Sequence, residues 1–248
     1  MNKIIRISMS LLLALTVVAC QGFKLDEVLG NGKDEEAESG PEEVAQPDLD
    51  AVTAVAGLKQ ALIVASKNSV ARASKKDGFY SNKQIHIPIP EQLESVASAL
   101  RKVGFDEQIE QFELGMNRAA EHASAEASGV FMDAISKMRV KDAFAILDGN
   151  DSAATRYFRN ATQADLRKKF QPIVASNMEK INFYPEYENL LATYEKIPFT
   201  QKPDLDIEQY VTEETLDGLF RLMAQEEARI RNNPAARTTE LLQQVFGN

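Results

Sequence analysis

Tryptophan is absent from the 248 residues, and cysteine occurs only once, at Cys20. Everything after position 20 is therefore without disulfides and without a thiol nucleophile. The missing tryptophan weakens any reading based on sugar stacking or an aromatic cage. Also missing are the Gly-x-Ser-x-Gly elbow, the Walker A loop, the dinucleotide fingerprint and His-Glu-x-x-His. No cofactor is expected. Basic charge is not in excess either: the net charge is −9. A nucleic-acid footprint is thereby excluded, and no nucleic-acid partner is expected.

The apolar stretch at the N-terminus, Ile7 to Val18, is shorter than the roughly 20 residues that span a bilayer. It follows Lys3 and Arg6 and ends in Val17-Val18-Ala19-Cys20. A positive start, an apolar middle and a small-residue end make a secretory signal. The last four residues resemble a lipobox, in which the thiol is alkylated by a diacylglyceryl group and the chain is cut before the cysteine. We expect residues 1–19 to be a signal peptide and Cys20 to carry the lipid, with palmitate among its acyl chains. Two or three chains anchor a protein stably where one does not. Gln21 in place of Asp favours the outer membrane, facing the periplasm, by resemblance to lipoprotein sorting rules.

Residues 20–50 read as an acidic, disordered tether. Between Asn31 and Asp50 eight acids stand against Lys33, with Gly and Pro interrupting and no aromatics. Such a stretch buries too little apolar surface to offset its ordering entropy, and its r.m.s. reach is roughly 30 Å. Most of the chain's acidity sits there, because residues 51–248 carry 24 basic and 27 acidic side chains.

The rest, residues 51–248, is long enough for one core. Its pattern predicts an all-α, single multi-helix, bundle-like domain with one short extended Ile/Pro segment. Ala51 to Ala73 carries a stripe of Leu58, Leu62, Ala65 and Ser69. A second stripe is Leu93, Val96, Ala97 and Leu100, with Gly104 as its C-cap. Phe112, Met116, Ala119 and Ala120 follow, then Val130, Phe131, Ala134, Ile135 and Met138. Thr162 to Asp165 reads as a helix start, and Pro172 as a kink or restart. Leu216, Leu219, Phe220 and Met223 form an i, i+3, i+4, i+7 set. Asn233-Pro234 closes that helix and opens the last one. Ile85 to Pro90 reads as extended, either a short edge strand or a polyproline-like brace.

Few residues carry chemistry. His86 reads as an exposed or hydrogen-bonded loop residue. On one continuous helix His122, Glu126 and Asp133 would line a flank, half a metal site at most; a solvated flank is the preferred reading, no metal is expected, and Ser124 would break the line if it capped a new helix. Arg118, Glu121, Arg156, Arg159, Glu226, Glu227 and Arg237 remain as structural ion pairs or the lining of a polar cleft. Arg118 and Glu121 pair at i, i+3. Arg237, in the first turn of the last helix, wants an acidic partner, which Glu226 and Glu227 supply.

Several segments resemble one family: Lys75 to Tyr80 with Ile87-Pro88-Ile89-Pro90, Phe112 to Glu121, Ala154 to Arg159, Tyr210 to Phe220, and Asn233 to Thr239. Together they are similar to the bacterial family known as domain of unknown function 4197, over roughly residues 55–247. The resemblance implies an exported or lipid-anchored helical protein and implies no activity.

Three functions are weighed. The first is an outer-membrane-anchored periplasmic lipoprotein acting as a non-enzymatic protein-interaction or scaffold module, with the membrane reached through the anchor and an envelope protein as partner. The second is a carrier holding an apolar or amphipathic molecule between helices, lined by Phe112, Met116, Phe131, Met138, Leu219 and Phe220. The third is a hydrolase with Glu226 or Glu121 as base. Oligomeric state is not readable.

Overall fold

The computed structural model describes residues 49–247, apart from Asp142, Phe199, Gln201 and Lys202. The expected signal peptide, Cys20 and the expected tether, as far as residue 48, lie outside the described residues. The chain divides into two units, 1–46 and 47–248, and the second holds every described residue. Among the described residues there are eight α-helices and no strand, as the apolar periodicity predicts.

The first helix, α1, is Ala51–Ala73. Asp50 sets its start, accepting the Thr53 N–H at 2.7 Å. Leu58, Leu62, Ala65 and Ser69 are all buried. Helix α2 (Glu94–Lys102) ends in a Schellman motif: Phe105 N–H donates to Leu100 and Gly104 N–H to Arg101. Gly104 reaches φ +91 there, a value that its missing Cβ permits.

Helix α3, Asp106–Lys137, is 32 residues long, about 48 Å at 1.5 Å per residue. It is unbroken at Ser124, which is fully buried and caps nothing. After the short α4 (Ala143–Leu147), helix α5 (Ala153–Lys180) runs back along α3. Their antiparallel register is fixed by Lys169 on Asp133 and Asn177 on Glu126.

Two expectations for α5 need correction. Thr162 does not start a helix; it sits in the interior and bonds back to the Phe158 carbonyl at 2.7 Å. Of the kink or restart expected at Pro172, the restart does not occur: the helix runs through it. Pro172 is exposed while Phe170 and Val174 are buried. The carbonyl bond it forfeits lies on the wet face, and the apolar neighbours hold the helix together.

Helices α6 (Phe183–Tyr194), α7 (Ile207–Asn232) and α8 (Glu240–Phe246) complete the domain. Helix α7 packs on α1, α3 and α5. Phe131, Phe158 and Phe220, one from each of α3, α5 and α7, form an aromatic cluster with centroids 5.6–6.0 Å apart. Asn233 ends α7, but with Pro234 it opens only a 3₁₀ turn, Pro234–Ala236. The last α-helix is capped instead by Thr239, whose hydroxyl accepts the Leu242 N–H.

From His86 to Pro90 the Ile/Pro segment is neither helix, turn nor strand, while Ile85 closes a turn, its N–H donating to the Asn82 carbonyl at 3.0 Å. Ile85, Ile87 and Ile89 point inward and are buried. Pro90 has φ −55, ψ 143, close to polyproline geometry. Of the two readings, the brace is the one observed. Among the described residues, no helix is long and apolar enough to cross a membrane.

Candidate functional site

Residues 74–90 lie over the bundle as an irregular strap, and one face of α3 is given over to holding it. Glu113, Asn117, Arg118 and Glu121 stand at offsets of 4, 5 and 8, so they share a side of the helix. Glu121 is 1% exposed. Its Oε1 accepts the Phe79 and Tyr80 N–H groups at 3.1 and 3.3 Å, and its Oε2 takes Arg118 at 2.6 Å. Arg118 also donates to Asp77 at 2.6 Å. Burial pulls the Arg118 guanidinium down, but its bonds to Glu121 and Asp77 together outweigh that and hold it above its ordinary range. Asp77 is left-handed, at φ 64, a conformation that costs a non-glycine residue energy unless neighbours hold it.

Further along the strap the buried Asn117 amide clamps Ile87 from both sides. His86 bridges the Tyr80 carbonyl through Nδ1 at 2.8 Å and the Glu113 carboxylate through Nε2 at 2.7 Å. It is a hydrogen-bonded loop residue, as expected. Phe79 is fully buried, and it enters beside Gly218, where an added Cβ would stand 2.8 Å from its ring.

A second polar knot joins α4, α5 and α7. Glu227, 1% exposed, accepts the Ala154 and Thr155 N–H groups at 2.9 and 2.7 Å, and the Thr155 hydroxyl. It therefore caps α5 from another helix, where Ser152 makes no side-chain cap and the dipole favours an anion. Arg231 binds the same carboxylate and donates to the Leu147 and Ile146 carbonyls at the end of α4. Phe246 lies under its guanidinium at 5.3 Å.

The remaining candidates are scattered. Glu226 receives Asn68, Arg72 and Arg229. Arg159 pairs with Asp217 and lies over Phe220. Arg156 donates to Asn150 near the surface. Arg237 does not meet Glu226 or Glu227. It donates to the Ile230 and Arg231 carbonyls at the C-terminal end of α7, where the dipole welcomes a cation. An acidic partner is expected only if the last helix starts at Pro234, and that helix starts at Glu240. The candidates thus form several separate structural networks and do not converge on one cleft.

His122 is exposed. Glu126 is taken by Asn177, and Asp133 by Lys137 and Lys169. These two lysines hold the Asp133 carboxyl below its ordinary range, Lys137 foremost. Among the described residues no group of three or more His, Cys, Asp or Glu could hold a metal.

Sequence reasoning misses Asn117 and Arg231. Asn117 has a signal, the one amide in the stretch Phe112 to Ala120, next to the apolar Met116. Arg231 has one as well, since it lies four residues after Glu227 on the same helix.

Arg118 and Glu121 line a small open pocket of about 290 Å³ with Ser74, Lys76 and His122, and two larger open grooves have apolar residues in their lining. One, about 500 Å³, lies between α2, α3 and α6, with Leu100, Phe112 and Leu190 as floor and Glu107 and Glu186 on the rim. The other, about 600 Å³, lies between α3 and α5 and includes Met138, Leu166 and four basic side chains. Of the six residues expected around an internal cavity, Phe112 and Met138 thus reach surface grooves. Met116, Phe131, Leu219 and Phe220 are at most 2% exposed.

No curated protein and no solved structure matches the chain. A family model does match: it covers residues 48–247, takes in the strap, both polar knots and all eight helices, and is described as a protein of unknown function, DUF4197. The chain belongs to that family.

Proposed function

We propose that this protein is a lipoprotein of the cell envelope, anchored through Cys20 in the outer membrane and facing the periplasm. Its helical domain works there as a non-enzymatic protein-interaction or scaffold module. One observation supports this over chemistry at a carboxylate. Each buried carboxylate, Glu121, Glu226 and Glu227, is occupied by three or more hydrogen bonds or ion pairs from backbone N–H groups, arginines, an amide or a hydroxyl. A general base must face the proton it takes, and these face the protein. Surface is then what the domain offers a partner.

Among the described residues Val52, Val103, Phe144 and Tyr80 are the exposed large apolar side chains, and such residues anchor contacts between proteins. A photo-crosslinking amino acid at Val103 or Phe144 of the full chain, expressed in its own envelope, tests the reading. A discrete adduct with an envelope protein, absent when the probe replaces exposed Lys196, is expected. Reproducible absence of any adduct at all four apolar positions overturns it.

A further inference from the structure

We propose that the groove between α3 and α5 binds a phospholipid with an anionic headgroup. The floor is apolar, formed by Ala134, Met138 and Leu166. Around it stand Lys137, Arg139, Lys168 and Lys169, with Asp133 and Asp165 as the only acids. Asp133 is shared between Lys137 and Lys169 at 2.6 and 2.9 Å. Neither the exposed Arg139 guanidinium nor the exposed Lys168 ammonium meets an acid among the described residues. Four cations against two acids is a local positive surplus on a chain whose net charge is −9.

The two chemistries belong to one ligand. Hydrocarbon is drawn to the floor, and a phosphate to the ring of cations. The walls are α3 and α5, with Met138 and Arg139 in the extended stretch just past the end of α3. Lysine presents charge on a flexible stem without a fixed fork, which suits a phosphate more than a shaped protein surface. A volume of about 600 Å³ is in the range of small-molecule sites. It takes a headgroup and the first part of an acyl chain, and the remainder of the chain leads out of the open groove. Binding here depends on the groove's own residues and is independent of the lipid at Cys20.

The test uses the full chain carrying Cys20→Ser, labelled at the methionine methyl groups. The Met138 resonance is assigned by its loss in Met138→Leu and followed by NMR. The probe is dihexanoyl phosphatidylglycerol below its micelle concentration. We expect a saturable shift of Met138, binding at least about fivefold weaker for dihexanoyl phosphatidylcholine, and a loss of about tenfold or more in Arg139→Glu with Lys168→Glu. Lys75→Glu with Lys76→Glu, in the strap, leaves the affinity unchanged. If the double reversal spoils the ligand-free spectrum, Lys168→Gln alone decides, with a loss of about threefold or more expected. The proposal is overturned if inorganic phosphate moves Met138 at the same concentrations, if phosphatidylcholine binds equally well, or if Met138 does not respond.

Discussion

Asn117 and Ile87 are joined through both ends of one side-chain amide. The Asn117 Oδ1 accepts the Ile87 N–H at 2.9 Å and its Nδ2 donates to the Ile87 carbonyl at 2.8 Å. A helix side chain thereby does for the strap what a neighbouring strand would do in a sheet. Nδ2 is also bonded to the Glu113 carbonyl, so the amide orientation is fixed by its partners. Asn117→Asp would turn an oxygen toward two carbonyls. It should destabilise the fold by about 3 kcal/mol, more than Asn117→Ala. Urea unfolding gives the loss, and faster hydrogen exchange at Ile87 localises it.

Glu226 and Glu227 are adjacent and buried, yet their removal should differ. Glu227→Ala strands Arg231, whose side chain is 9% exposed, and uncaps α5. About 3–5 kcal/mol is expected. Glu226→Ala releases Arg72 and Arg229, which are 45% and 53% exposed and turn to water. About 1 kcal/mol is expected. Equilibrium unfolding of the two variants side by side checks the order.

Two glycines in helices should respond to alanine with opposite signs. At Gly218 the new Cβ would lie 2.8 Å from the Phe79 ring and 3.1 Å from Ile85. Overpacking there should cost about 1–3 kcal/mol. At Gly129 nothing lies within 4 Å, so Gly129→Ala should stabilise by about 0.5–1 kcal/mol through helix propensity. Thermal midpoints moving in opposite directions would confirm both.

Three tyrosines should contribute to the alkaline loss of stability. Burial pushes the Tyr210 phenol well above its ordinary range, and the charges of Glu214, Glu113 and Glu91 add to it. Burial raises Tyr184 in the same way, helped by its bond to Glu208, and burial raises Tyr187. A folded-state value above the unfolded one contributes stability that is complete below the unfolded value of about 10 and lost as pH rises through the folded value. With no tryptophan in the chain, tyrosinate absorbance reads this cleanly. Tyr210→Phe should remove part of the late absorbance rise and flatten the alkaline loss of stability. An early rise that is lost in Tyr210→Phe would contradict the assignment.

How much of the fold and the site is legible in the sequence depends on the kind of signal. Apolar periodicity places α1 at Ala51–Ala73 and the stripe of α7, because burial of one helix face is written at fixed spacing. Local capping rules mislead where tertiary packing outweighs them. Thr162 looks like a cap, but the long apolar face of α5 carries the helix through it. The Arg118–Glu121 pair is readable from its spacing, but its grip on Phe79 and Tyr80 is not. Those bonds join residues about 40 positions apart, and no local pattern encodes them. Glu227 capping α5 from α7 is the same case.

Everything proposed for this protein in the envelope depends on Cys20 fixing it to a membrane. That attachment is tested most directly by metabolic labelling with an alkyne analogue of palmitate, followed by capture of the full chain from the envelope. Label is expected in the wild-type chain and none in Cys20→Ala, which should leave the membrane fraction. A wild-type chain without label, or label that survives in Cys20→Ala, would contradict it.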